Sequence, residues 1–91
     1  MRGKKTDVNQ LEIIQILRQA GAVVCDLSAV GYGCPDLLVS YCGKNHLLEI
    51  KNPERQRFTQ YQKEFYERWK APIHVVRSKT EALQAIGVIT D

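Results

Sequence analysis

The sequence predicts an α/β domain, a small mixed four-stranded sheet flanked by helices in the order αβββαβα. Three observations carry this. Leu11, Ile13, Ile14, Ile16, Leu17 and Ala20 recur at helical spacing and form an apolar stripe. Short apolar runs of strand length follow at Leu37-Leu38-Val39, Leu47-Leu48 with Ile50, and Ile73 to Val76. Between and after them stand two helix-start signatures, Thr59 with Gln62 and Ser78 with Glu81.

The first helix is expected over residues 7–20, capped by Thr6 or Asp7 and stopped by Gly21. Residues 22–26 read as a short strand. Residues 28–34 read as a loop with Gly31 and Gly33 as its pliable points. A second strand spans residues 37–41. Gly43-Lys44-Asn45 is expected to turn the chain into a third strand over residues 46–51, ended by Asn52-Pro53. Residues 54–57 are charged and expected to be mobile. The second helix starts after Thr59 and runs to about residue 70. A fourth strand covers residues 73–76, and a short helix capped by Ser78 runs through Ile86. The helix linking strands three and four makes a β–α–β unit, so those two strands are expected to be parallel.

Ninety-one residues form one domain with a modest core, which a second subunit would extend. Residues 1–5, with Arg2, Lys4 and Lys5, read as a flexible basic lead-in to a single domain over residues 6–91. The net charge of +3 permits a nucleic-acid partner without requiring one. No apolar run reaches membrane-spanning length, so no membrane partner is expected. Cys25, Cys34 and Cys42 are odd in number, with no CxxC and no secretory leader. They are expected to be free thiols in a reducing cytoplasm, each buried as a small hydrophobe. His46 and His74 stand far apart in sequence and show no zinc spacing.

The chemistry concentrates in Pro35-Asp36 and, twelve residues on, Glu49-Ile50-Lys51. Side chains alternate along a strand, so Glu49 and Lys51 share a face and Ile50 takes the other. If the second and third strands pair as a hairpin, Asp36 and Lys51 lie at one end and Glu49 one pleat inside. Ionised groups among apolar neighbours are costly unless they bind something. Two carboxylates and the Ile50 carbonyl suit Mg²⁺, with water and phosphate in the other positions. Such a cation polarises a phosphate and acidifies a bound water. Lys51 would orient that water or offset transition-state charge. The plainer reading is an Asp at a strand start and a solvated Glu–Lys pair; strand context on both sides favours the site.

Two glutamines fall on inward faces. Gln10 lies within the first apolar stripe, with Glu12 at its edge. Gln62 shares a helical face with Phe58, Phe65 and Trp69. Each either joins the site or satisfies the backbone, Gln62 through its capping box. Arg55 and Arg57 follow Lys51 closely and are the candidate phosphate contacts. The aromatic set from Phe58 to Trp69 is read as packing or a dimer seam.

These residues resemble the PD-(D/E)XK nuclease superfamily and, within it, the compact VRR-NUC domains of phages and bacteria. The resemblance covers nearly the whole chain. It rests on Asn9-Gln10, Gly31-Tyr32-Gly33-Cys34-Pro35-Asp36-Leu37-Leu38-Val39, Leu47-Leu48-Glu49-Ile50-Lys51, Phe58-Thr59 with Gln62, and Val75-Val76-Arg77-Ser78. The last is similar to the family's Val-Arg-Arg signature with Ser78 replacing the second Arg. The resemblance implies a restriction-endonuclease-like core, metal binding by Asp36 and Glu49, and catalytic assistance from Lys51. It implies a Mg²⁺- or Mn²⁺-dependent phosphodiesterase that cuts branched DNA, Holliday (four-way) junctions above all, as a homodimer in bacterial or phage-infected cytoplasm. Related archaeal-type junction resolvases carry a Glu on the first helix; the corresponding position here is Gln10, with Glu12 as the fallback. Arg77 joins Arg55 and Arg57 as a candidate DNA contact. Two other readings stay open: a non-catalytic DNA-binding or assembly module, and a nicking or restriction-type nuclease.

Overall fold

The computed structural model describes residues 8–52 and 57–89. Its elements are α1 (Val8–Gln19), β1 (Val23–Asp26), β2 (Leu37–Tyr41), β3 (Lys44–Ile50), α2 (Gln60–Arg68), β4 (His74–Val76) and α3 (Lys79–Ala85). The strands form one sheet in the order β1-β2-β3-β4. β1 with β2 and β2 with β3 are antiparallel, and β3 with β4 is parallel. The fold is therefore the expected α/β arrangement of helices about a mixed sheet. The lead-in at residues 1–5, the caps Thr6 and Asp7, and Arg55 lie outside the described residues.

Alternation along the central strands sorts core from site. Leu37 and Val39 on β2, and Leu48 and Ile50 on β3, are buried with Ile13, Ile14 and Leu17 of α1 and Ala82 of α3. Their neighbours in sequence, Leu38, Leu47 and Glu49, take the other face by the pleat. Leu48 is fully buried. Leu48→Ala is expected to cost about 3 kcal/mol, read as a lower urea midpoint, because a core void remains unfilled.

Several local expectations need correction. Leu11 is 50% exposed. The inward line of α1 is Gln10, Ile13, Ile14 and Leu17, an i, i+3, i+4, i+7 set that leaves Leu11 outside it. The β2–β3 turn is shorter than expected. Tyr41 pairs with Lys44, so only Cys42 and Gly43 turn, and both have positive φ, 49° and 78°. This primed turn matches the twist of the paired strands, and Lys44 and Asn45 therefore belong to β3. Two of the three cysteines are exposed: Cys25 alternates with the core residue Val24 on an edge strand, and Cys42 occupies the turn. Cys34 is half-buried, and all three are free thiols.

The second layer is looser than the first. α2 contributes no fully buried residue, and the helix ends at Arg68, with Trp69 already extended. Phe65 and Trp69 stack at 5.2 Å. With Leu38, Leu47 and Pro35 they line a cavity of about 670 Å³ between α2 and the sheet. His46 and His74, distant in sequence, approach to 6.2 Å between ring centres beside it.

Candidate active site

Register builds the site. Leu37 faces Leu48 in the β2–β3 pair. One step further, Asp36 stands opposite Glu49, the spacing at which cross-strand side chains touch. Pro35 is fully buried and anchors the approach to β2. The Asp36 main-chain carbonyl accepts from the Leu27 amide at 2.7 Å. Its carboxylate Oδ2 accepts from the Ile50 amide at 2.8 Å. The amide and carbonyl of a strand residue project to the same edge, so the Ile50 carbonyl faces the Asp36 side. The Lys51 amide points the other way and donates to Val76 at 3.0 Å.

Glu49 and Lys51 are both buried, at 3% and 5% exposure. Gln62 ties them together. Its Nε2 donates to Glu49 Oε2 at 2.7 Å, and its Oε1 accepts from Lys51 Nζ at 3.0 Å. The same Oε1 accepts from the Thr59 amide at 2.9 Å, while Thr59 Oγ1 accepts from the Gln62 amide at 3.1 Å. Gln62 therefore closes the capping box and joins the site with one side chain; the two readings were not alternatives. Lys51 Nζ also donates to the Arg57 carbonyl at 3.1 Å and lies 3.5 Å from Glu49 Oε2. The Phe58 ring lies beneath the ammonium at 4.5 Å, a cation–π contact.

The electrostatics are set first by burial and then by the facing carboxylate. Burial, then the nearby Asp36 charge, raise the Glu49 pKa to about 7, against the pull of Lys51 and Gln62. Glu49 Oε1 is shut from solvent with no hydrogen-bond partner among the described residues. Burial, Asp36 and Glu49 also push the Cys34 thiol upward. Tyr66 is pushed upward by burial, Glu49 and Asp36, and its buried hydroxyl likewise lacks a partner among the described residues. The sequence pointed to Tyr66 as packing, and it does meet Phe58 edge-on at 5.3 Å. The overlooked signal was its place one helical turn after Gln62.

The other candidates sit elsewhere. Gln10 is directed inward, but its Nε2 lies 3.4 Å from each oxygen of Asp26. Asp26 in turn takes the Ser28 amide at 2.9 Å and hydroxyl at 2.6 Å. Glu12 is exposed. Arg57 presents its carbonyl to Lys51 while its side chain is exposed. Arg77 is exposed just past β4, and its amide donates to Glu81 at 2.7 Å. Glu81 thus caps one residue earlier than a standard capping box, while Ser78 receives the Glu81 amide.

A divalent cation fits this donor set. Glu49 Oε1 is a buried oxygen with no hydrogen-bond donor among the described residues, and the Asp36 carboxylate stands across the strand from it. Among the described residues no group of three or more His, Cys, Asp or Glu is placed to hold a metal. The residues that would hold such a cation are Asp36, Glu49 and the Ile50 carbonyl, with solvent or substrate oxygens needed to complete the shell. Among the described residues no helix is long and apolar enough to cross a membrane. No protein-family model matches the chain, and no curated protein or solved structure matches it at significance.

Proposed function

We propose that this chain is a Mg²⁺- or Mn²⁺-dependent endonuclease of the VRR-NUC type within the PD-(D/E)XK superfamily, hydrolysing phosphodiester bonds in branched DNA as a cytoplasmic homodimer. One observation carries the reading: Asp36 and Glu49 face each other across the β2–β3 register, with Lys51 buried beside them on the Gln62 brace. A bound divalent ion would supply charge for the scissile phosphate and a more acidic water. Asp36 holds its end of the site through the Ile50 amide. The Lys51 ammonium has three protons, and Gln62, Arg57 and Glu49 oxygens now surround it. Were the Glu49 oxygens engaged by a cation, one Lys51 N–H would be free to donate a hydrogen bond to a water or a phosphate oxygen.

The test is cleavage of a four-way junction, a flap, a duplex and a single strand with Mg²⁺ or Mn²⁺. Asp36→Ala and Lys51→Ala are each expected to slow junction cleavage at least on the order of a hundredfold. Wild-type rates in both variants would remove the site assignment. A non-catalytic DNA-binding module is the second reading, favoured by the short carboxylate set and by Gln10 being neutral and directed to Asp26. It requires that no DNA in the panel be cut at any metal concentration.

A further inference from the structure

Resting on the phosphodiesterase reading, we infer that Tyr32 and Tyr61 form a stacking platform for an unpaired nucleobase beside the scissile phosphate, so that the substrate is DNA splayed at the cleavage point. Tyr32 has φ 55°, between Gly31 at 79° and Gly33 at 83°. The Cys34 amide closes this turn on the Gly31 carbonyl at 3.1 Å. A tyrosine in left-handed backbone is strained, and such strain persists at places that work. Nothing in the core repays it, since Tyr32 is 76% exposed. Its ring meets that of Tyr61, itself 58% exposed, edge to face at 5.5 Å.

The platform is fixed to the catalytic machinery at two points. Tyr61 adjoins Gln62, the residue bonded to Glu49 and Lys51. Tyr32 adjoins Gly33, whose α-carbon sits directly on the Tyr61–Gln62 backbone. Asp36 is the fourth residue after Tyr32, at most about 14 Å along the chain.

The recess beside the rings, about 430 Å³, is also lined by Glu64, Glu67 and Arg68. Two carboxylates repel a phosphate, but they accept hydrogen bonds from the exocyclic amines of bases. Aromatic faces with such acceptors suit a base rather than a backbone. In a continuous duplex, base faces are covered by neighbours and amines by pairing partners. A fork, flap or opened junction presents both.

The experiment uses the full chain in EDTA, so binding is read without turnover. The probes are forked DNA with 2-aminopurine at the first unpaired position and a continuous duplex of equal length. Wild type is expected to quench the 2-aminopurine on binding. Tyr32→Gly and Tyr32→Asn, which both accept positive φ, are expected to keep the fold and lose the quench. Each should bind the fork about tenfold or more weakly, with duplex affinity unchanged, and Tyr32→Phe should bind as wild type does. Equal fork affinity in wild type and both variants overturns the platform. If that wild-type protein still cuts DNA with Mn²⁺, the nuclease reading survives the loss. If it neither binds nor cuts any DNA, both readings fall.

Discussion

Glu49→Gln is expected to abolish cleavage and, at pH 8, to make the protein more stable than wild type. The carboxylate has a pKa of about 7 in the folded protein, raised from 4.5 by burial and by Asp36. A raised acid pKa means the native state prefers the protonated form. Its contribution to stability is fully present below pH 4.5, falls as pH rises, and is lost above about pH 7. Wild type and variant should therefore converge near pH 5. They should separate by about 2 kcal/mol at pH 8 in urea denaturation, the variant being the more stable. Mn²⁺ should raise the wild-type midpoint at pH 8 and leave that of the variant in place. Cleavage should fall on the order of a thousandfold, since an amide brings no charge to the cation. A variant less stable than wild type at pH 8 would mean that the Lys51–Glu49 attraction exceeds the cost of burial.

Gly33→Ala is expected to suppress the proposed cleavage from outside the set of ionisable residues. Gly33 has φ 83°, and a β-carbon there would collide with the Tyr61 carbonyl and crowd the Gln62 amide. The left-handed backbone alone costs about 1 kcal/mol, and moving α2 off the loop adds to it, for about 3 kcal/mol in all. Gln62 moves with α2, so Lys51 and Glu49 lose their shared brace. Single-turnover cleavage should fall about a hundredfold. Gly31→Ala is the control: φ is nearly the same at 79°, but open space surrounds its position. It should cost about 1 kcal/mol and spare the rate. Equal losses in the two variants would show that backbone conformation, and not the contact with α2, governs the site.

The contrast between these glycines shows what was legible beforehand. Both read as pliable points in a loop, which is a local property. That one of them lies against a helix almost thirty residues later depends on tertiary approach, and no window of sequence contains it. That Asp36, Glu49 and Lys51 gather on one face of a hairpin was legible from strand alternation, but which of them stands opposite Asp36 was not. The expected turn was two residues too long and set Asp36 opposite Lys51; the observed register sets it opposite Glu49, and because the shift is two residues every side chain kept its face. Gln62 was legible as a cap and as an inward residue. Its double use follows from Thr59 and Lys51 arriving at one oxygen, a coincidence in space. The partner of Gln10 was illegible for the same reason, since Asp26 reaches it only after β1 packs beside α1. Leu11 and Cys25 misled because hydrophobicity names a preference, while a narrow helix stripe and an edge strand leave some apolar residues without a place inside.

The cavity beneath α2 has a consequence for timing. Elements with few buried side chains open at a lower free energy than the rest of the molecule. α2 is such an element, whereas α1 and α3 close over the twelve-residue apolar cluster. Among the described elements, a lifting of α2 while the sheet stays paired is therefore a low-cost excursion from the native state. Each such opening releases Gln62 and gives water a route to Glu49 and Lys51. On the proposed nuclease reading, protonation of that carboxylate, capture of a cation and departure of a cleaved strand would share one gate, hinged where Phe65 and Trp69 line the cavity with Leu38 and Leu47.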